Sequence, residues 1–317
     1  MAELSPSDYL RVSYSSLNLL DSCARKFEFN KLFPRRARDY DTFAADVGTA
    51  LHRGYQTWLM THDADKAIWA MMEVYPYEAE WNQEKDDRSL QAAVVTLEEM
   101  IESEPMKEWT VAEIKRPDGQ IVPAIEVPFE LRLKGITLPD GRGIAFTGFV
   151  DAFLRNLMME SLYRTLDIKT HRNYLKDLTA KFKYDTQQTP YGIVLEHIQN
   201  RPVTEFEVMY LSCFVDLAEP RVEPYTYERS ESDIQEWLLN TVLKCQRIQR
   251  FAEMDYFPRT DGGCVTFNKP CFFLDICESR DKNVIEKWLL EGEAPEHRID
   301  DEPWIVADID VYGGVES

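Results

Sequence analysis

The stretch G-I-A-F-T-G-F-V-D-A-F-L (143–154), followed after a short break by Y-R-T-L-D-I-K-T-H (163–171), decides how the rest of this chain is read. Ile144, Phe146, Phe149, Val150, Phe153 and Leu154 supply the β-branched and aromatic bulk of a strand. Residues 156–161 are long enough for a turn. In L-D-I-K-T, apolar and polar residues then alternate with period two, so Asp167 and Lys169 point to one side while Leu166 and Ile168 point to the other. If the two strands pair, Asp151 lies beside Asp167, and two carboxylates and an ammonium converge on one edge.

Two close carboxylates repel, and a hard divalent cation relieves that repulsion. Mg²⁺ takes one or two carboxylates, keeps waters, and leaves room for a substrate phosphate. A cation so placed activates water and offsets charge in phosphoryl chemistry. A nearby lysine orients the attacking water or stabilises developing charge. Taken alone, D-x-K also reads as an ordinary Asp–Lys pair on a solvated strand.

Three more features join it. Gly148 stands three residues before Asp151, and a glycine within a strand allows close approach of another backbone or a ligand. His52 lies in the helical segment G-T-A-L-H-R-G (48–54), and Gln187 and Tyr191 lie in Q-Q-T-P-Y-G-I-V-L (187–195). A helical His, then G-x-x-D, then D-x-K, then Q-x-x-x-Y, in that order, resembles the RecB-type nucleases of the PD-(D/E)xK superfamily. That group also holds AddB-like and CRISPR-associated exonucleases. The resemblance spans residues 13–278. It implies an α/β fold with a restriction-endonuclease-like core, a central mixed sheet flanked by helices. It implies Mg²⁺- or Mn²⁺-dependent hydrolysis of DNA, exonucleolytic and preferring single strands or ends, in recombination, repair or phage DNA metabolism. His52, Asp151 and Asp167 would bind the metal and Lys169 would serve the reaction. Gln187 and Tyr191 would lie beside the site and bind or orient nucleic acid. The family carries a glutamate on the strand before G-x-x-D, and Glu126 in I-E-V-P-F-E-L-R-L (125–133) fits that place; a solvated strand edge explains Glu126 and Glu130 equally.

Net charge is −20, from 36 basic and 56 acidic residues. By itself this opposes a nucleic-acid partner, since phosphate contacts need Lys and Arg. The distribution is uneven. Residues 25–38 hold six basic residues and one acidic, whereas residues 278–317 hold twelve acidic and four basic. A basic strip beside an acidic body suits a DNA channel, and suits a solvated helix face as well. No apolar run approaches a membrane span and no export signal opens the chain, so a soluble protein of the cytoplasm of a bacterium or phage-infected host is expected, with no membrane partner. The chain lacks G-x-x-x-x-G-K-[ST], so any helicase or recombination protein would be a separate partner. A catalytically weak DNA-binding or scaffold subunit is the alternative that the net charge favours.

In chain order, residues 1–12 read as a flexible lead-in. Ser13 or Ser15 caps a helix running to about Lys31, ended by Pro34. A second helix covers 41–61, with Gly48, His52, Tyr55 and Leu59 along one stripe, and two more helices lie within 64–104. Strands surround the turn Pro117-Asp118-Gly119. A helix starts near Thr186, with Pro190 in its first turn. Residues 203–215 and 224–228 are strand-like. Ser232 and Gln235 offer a capping box for a helix to about Met254. A single nuclease domain is expected over 13–290, with an acidic C-terminal segment over 291–317.

Six cysteines with no export signal should be reduced or metal-bound. Cys213 and Cys245 fall on apolar stripes and read as core. Cys264, Cys271 and Cys277 crowd the segment 257–278, and Cys23 is the leading fourth ligand. One early and three late cysteines resemble the iron–sulfur staple of the AddB-like and CRISPR-associated nucleases, which implies a [4Fe–4S] cluster joining the two ends of the chain. The first spacing departs from the family's C-x-x-C, being C-x6-C before C-x5-C. Zn²⁺, which also accepts four cysteines, stays open.

Overall fold

The structure, a computed structural model, describes residues 8–32, 43–76, 89–103, 108–159, 161–171, 178–200, 202–203, 205–260, 264–266, 269–271, 273–279, 283–285 and 303–310. Its first part runs β1 (Tyr9–Val12), α1 (Tyr14–Ser22), α2 (Ala24–Phe27), a π turn (Glu28–Leu32), α3 (Phe43–Thr61), α4 (Ala64–Val74) and α5 (Leu90–Glu102). The strands β2 (Trp109–Val111), β3 (Glu113–Lys115), β4 (Ile121–Pro123), β5 (Ile125–Thr137), β6 (Gly143–Asn156) and β7 (Tyr163–His171) follow. Then come α6 (Thr179–Lys183), α7 (Tyr191–Gln199), β8 (Glu205–Phe214), β9 (Arg221–Ser230) and α8 (Glu231–Glu253). The chain closes with β10 (Val265–Thr266), β11 (Lys269–Pro270), α9 (Leu274–Cys277) and β12 (Ile305–Asp310).

Eight strands form one mixed sheet in the order β12-β5-β6-β7-β8-β9, with β1 and β2 also pairing on β6. The β6–β7 and β8–β9 pairs are antiparallel, while β7–β8, β1–β6 and β12–β5 are parallel. This is the α/β architecture with a large mixed sheet that the family resemblance implies.

Two compact units alternate along the sequence. The first holds Met1–Tyr40, Pro128–Gly148 and Glu236–Ser317; the second holds Asp41–Val127 and Phe149–Gln235. The second unit's core packs α3, α4 and α5 on one face of β7 and β8, through Leu51, Tyr55, Met71, Leu97, Leu166, Ile168 and Leu211. Leu166 and Ile168 belong to that core, so the alternation of L-D-I-K sends Asp167 and Lys169 the other way. Burying such aliphatic side chains contributes about 1.5–3 kcal/mol each. Cys213 sits in this core as well.

Several boundaries differ from the reading of the sequence. Residues 9–12, read within a loose lead-in, form β1, in register from Tyr9 opposite Gly143 to Val12 opposite Phe146. Residues 305–310, read within an acidic tail, form β12 against β5. Neither short strand is stable alone, and each forms because a long strand of the first unit offers a paired edge. The first helix does not run to Lys31. Ser13 caps it, exchanging hydrogen bonds with Ser16 as a capping box, and Cys23 ends it with extended backbone at φ −166° and ψ 115°. Helix α7 starts at Tyr191 rather than near Thr186. Pro190 disfavours helical backbone at Thr189, so Gln187–Pro190 stay in a turn. The long helix is capped two residues earlier than Ser232: Asp233 N–H donates to Ser230 Oγ, and Ser230 N–H donates to Asp233 Oδ2. Pro34, Trp81, Arg172 and Lys176 lie outside the described residues.

Candidate active site

The site lies in the second unit, where β6 and β7 part. Their antiparallel ladder runs from Arg155 opposite Tyr163 to Ala152 opposite Leu166. One step on, the register sets Asp151 opposite Asp167. There the ladder gives way to a side chain: Ile168 N–H donates to Asp151 Oδ2 at 3.1 Å. The Ile168 carbonyl lies 2.9 Å from His52 Nε2. Residue 168 thus anchors a carboxylate and an imidazole through its main chain while its side chain fills the core.

That contact sets the tautomer of His52. With Nε2–H donating to the carbonyl, Nδ1 presents a lone pair, 3.4 Å from Asp151 Oδ2. Burial holds the imidazole below its ordinary pKa and favours this neutral form, against the pull of Asp167 and Glu126. A lone pair facing a carboxylate oxygen is repulsive unless something positive lies between them. Glu126 completes the group: one ligand atom each from His52, Glu126 and Asp151 lies within 4.8 Å of the others. Helix α3 brings His52 close to the sheet because Gly48 has no Cβ; one there would lie 3.0 Å from Thr170 Oγ1, the neighbour of Lys169.

Glu126 is reached by an unusual backbone. Its φ is +49°, in the left-handed region that costs a non-glycine residue roughly 1 kcal/mol or more. Gln56 Nε2, one helical turn beyond His52 on α3, donates to Glu126 Oε1 and holds it. Of the two glutamates on β5, Glu126 is therefore the one in the site. Glu130 is buried and takes Arg11 Nε at 2.9 Å and Arg132 Nε at 2.8 Å, so it is not on a solvated edge.

Asp167, 2% exposed, faces a second cluster. Lys169 Nζ lies 2.7 Å from its Oδ2, and Gln187 Nε2 donates to its Oδ1 at 3.2 Å. Lys169 Nζ also donates to Gln187 Oε1 at 2.7 Å, closing a triangle of Asp167, Lys169 and Gln187. Burial pushes the Asp167 carboxyl up to about 7, with Lys169 opposing and the charge of Asp151 assisting. Tyr191 is buried and donates to the Phe149 carbonyl at 3.1 Å; burial, then the charges of Asp167 and Asp151, raise its phenol.

With His52 neutral, three carboxyl groups, those of Glu126, Asp151 and Asp167, stand against the single ammonium of Lys169. That deficit, the outward lone pair of His52 and the mixed N/O donor set fit one divalent cation of the Mg²⁺ or Mn²⁺ kind.

The pattern of the PD-(D/E)XK nuclease superfamily matches residues 11–278. The chain belongs to that superfamily. No curated protein matches the sequence. Among solved structures, one described as a "Putative exonuclease" from Eubacterium rectale is 15% identical, with a TM-score of 0.44, covering 88% of this chain and 98% of its own. Another, given as SSO0001, is 16% identical with a TM-score of 0.28, covering 73% of this chain and 84% of its own.

Within this superfamily member the structure brings together all seven residues singled out from the sequence: His52, Glu126, Asp151, Asp167, Lys169, Gln187 and Tyr191. Gly148 does not open onto a ligand. A Cβ there would lie 2.9 Å from the Phe129 ring, so its absence admits that ring within the first unit. Gln56 was missed, although its i+4 spacing from His52 is a usable signal. Gln188 was missed too; buried beside Gln187, it joins Thr165 Oγ1 to the Met209 carbonyl and fixes the turn that carries Gln187.

The cysteines form a second cluster, in the first unit. Cys23, Cys264, Cys271 and Cys277 line one cavity of about 10 Å³, with Arg25, Lys26, Phe29, Phe273 and Leu274. The hairpin β10–β11 sets Val265 opposite Pro270, and Cys271 N–H donates to the Cys264 carbonyl at 2.7 Å. The long C-x6-C spacing is thus absorbed by a hairpin that returns its two cysteines to the same place. All four are free thiols, and burial raises that of Cys277. The basic strip is less clear-cut. Arg25 donates to the Phe257 carbonyl at 2.7 Å and pairs with Glu28, while Arg35, Arg36 and Arg38 lie outside the described residues. Among the described residues no helix is long and apolar enough to cross a membrane.

Proposed function

We propose that this chain is a divalent-metal-dependent deoxyribonuclease of the RecB/AddB-like kind, acting on single-stranded DNA or DNA ends. The observation that carries the reading is the convergence of His52, Glu126 and Asp151 on one point beside the Asp167–Lys169 pair. A divalent cation held by His52, Glu126 and Asp151, with Asp167 adjoining, supplies charge to a phosphate oxygen and acidity to water. Lys169 is fixed by Asp167 and Gln187, so its ammonium meets the developing charge without reorganising. By the family resemblance, Gln187 and Tyr191 lie beside the site and bind or orient the nucleic acid. The test uses purified protein, end-labelled single- and double-stranded DNA, and Mg²⁺, Mn²⁺ or EDTA. Metal-dependent shortening from an end is the expected result; DNA left intact under every condition overturns the reading in favour of a binding subunit.

The four thiols are read as ligands of a [4Fe–4S] cluster that clips the N-terminal segment to residues 257–278. Zn²⁺ is the second reading, because it also accepts four cysteines. Anaerobically purified protein should be brown, with about four irons per chain, and Cys277→Ser should bleach it while Cys213→Ser and Cys245→Ser should not. Colourless protein with one zinc selects the second reading. Metal-free protein whose stability Cys277→Ser leaves unchanged removes both.

A further inference from the structure

Helix α6 is only five residues long, far too short to be stable alone. It is nevertheless held firmly. Phe182, fully buried, stacks on Tyr210 with centroids 4.7 Å apart and meets Tyr225 at 5.1 Å. Arg229, itself 7% exposed, donates through Nη2 to the carbonyls of Lys183 at 3.1 Å and Asp185 at 3.0 Å, and reaches that of Phe182 at 3.4 Å. Tyr227 Oη donates to the Thr179 carbonyl at 3.0 Å. A buried arginine and a buried phenylalanine are committed to fixing one helical turn, whose outward residues are Lys181, Lys183 and Tyr184.

That turn lies beside the strand bearing the catalytic pair. Period two puts Asp167, Lys169 and His171 on one face of β7, with about 6.6 Å between successive members. The His171 ring packs on Phe182 with centroids 6.2 Å apart, and Lys181 Nζ stands 5.4 Å from the centre of that same ring. His171 Nε2 is buried and has no hydrogen-bond partner among the described residues. Burial, then the ammoniums of Lys181 and Lys169, hold its imidazole down to about 4, so it stands neutral between two cations. Beyond Lys181, Tyr184 is 75% exposed, with Lys183 Nζ 5.7 Å from its ring centre. Cations interleaved with an exposed aromatic ring are what a single strand of nucleic acid requires, charge for its phosphates and a face for its bases.

We propose that His171 and Lys181 bind the phosphate adjoining the scissile one on a single DNA strand, and that Tyr184 stacks on the base beyond. This rests on the nuclease reading and specifies how that site takes its substrate. A phosphate there supplies the anion that Lys181 lacks among the described residues, and the hydrogen-bond partner that His171 Nε2 lacks.

The test measures binding of a 5′-fluorescein oligo-dT by anisotropy over a range of salt, in the Asp167→Asn background so that the strand is not cut. Lys181→Gln should lower the salt slope by about 0.7, one single-strand phosphate contact. Tyr184→Ala should weaken binding roughly 5- to 100-fold, and Tyr184→Phe should restore it. In the otherwise wild-type enzyme, Lys181→Gln, Tyr184→Ala and His171→Gln should raise KM more than they lower kcat. Lys181 and Tyr184 are exposed, so unchanged melting shows that these variants remain folded. An unchanged slope with full affinity in Tyr184→Ala overturns this proposal, while continued cleavage by the wild type leaves the nuclease reading standing. A wild-type protein that neither binds nor cuts the strand overturns both.

Discussion

Glu130 in one compact unit and Asp167 in the other are each 2% exposed, yet their surroundings are charged in opposite senses. Glu130 meets two guanidiniums, Arg11 and Arg132, so one anion is over-matched by protein cations. Asp167 has one ammonium, Lys169, and stands near the carboxylate of Asp151, which is itself grouped with Glu126. A buried charge is costly unless paired. The first carboxylate is paired by the protein itself and serves the fold. The second belongs to a group with more carboxylates than cations, a balance that suits the cation proposed above. Burial alone does not distinguish the two; the charge balance around each does.

The contrast can be broken most sharply at Asp167. Asp167→Asn removes the carboxylate that holds Lys169 beside the His52–Glu126–Asp151 group and changes little volume, and should abolish metal-dependent cleavage of end-labelled DNA while far-UV circular dichroism is unchanged. Lys169→Ala should cost on the order of 10²–10³ in rate, the range for losing one electrostatic donor. Cleavage by Asp167→Asn at the wild-type rate would return that carboxylate to a structural role. Glu130→Gln should behave oppositely. It should lower stability by on the order of 2 kcal/mol, less than the ~3–5 kcal/mol of a fully buried pair because both arginines reach solvent, and should leave the response to Mn²⁺ intact. Denaturant titration with and without Mn²⁺ measures both.

Metal addition sharpens the comparison further. At a hundred times its Kd, Mn²⁺ should stabilise the wild type by about 2.7 kcal/mol, and Asp151→Asn should remove most of that gain. Equal stabilisation of Asp151→Asn would place the ion elsewhere. The last comparison is one of pH. The carboxyl of Asp167 is raised in the folded protein from 3.8 to about 7, so the native state holds its proton more tightly than the unfolded chain does. Its contribution to stability is complete below pH 3.8 and is lost as pH rises to about 7. Metal-free wild type should therefore lose stability over that window more steeply than Asp167→Asn, as seen in melting temperatures measured in EDTA.

What the sequence revealed follows from the range of the forces involved. L-D-I-K alternates with period two, and its two faces were assigned correctly because the rule is local. The capping serine of α1 was legible for the same reason. The strands β1 and β12 were not, because Y-L-R-V and I-V-A-D-I-D gain their order from edges far away in the chain. The end of α1 at Cys23 was not legible either, since the cysteine cavity outweighs the helical pattern of L-N-L-L-D-S-C-A-R-K-F. In the site, residue types and order pointed to His52, Asp151, Asp167 and Lys169. The left-handed backbone of Glu126 depends on folded geometry that no spacing encodes, whereas Gln56, one turn from His52, carried a spacing signal that went unread.

The main chain of Ile168 takes His52 on its carbonyl and Asp151 on its amide. Whatever occupies position 168 is judged by the core for size, while the polar wiring beside it is indifferent to identity. Strand alignment is another matter. Slipping β7 by one residue against β6 would turn every side chain to the wrong face and detach both anchored groups together. A mispaired sheet, however compact, would be blind to metal. In the proposed nuclease, response to a divalent ion would therefore double as a check that the strands were threaded in the correct frame.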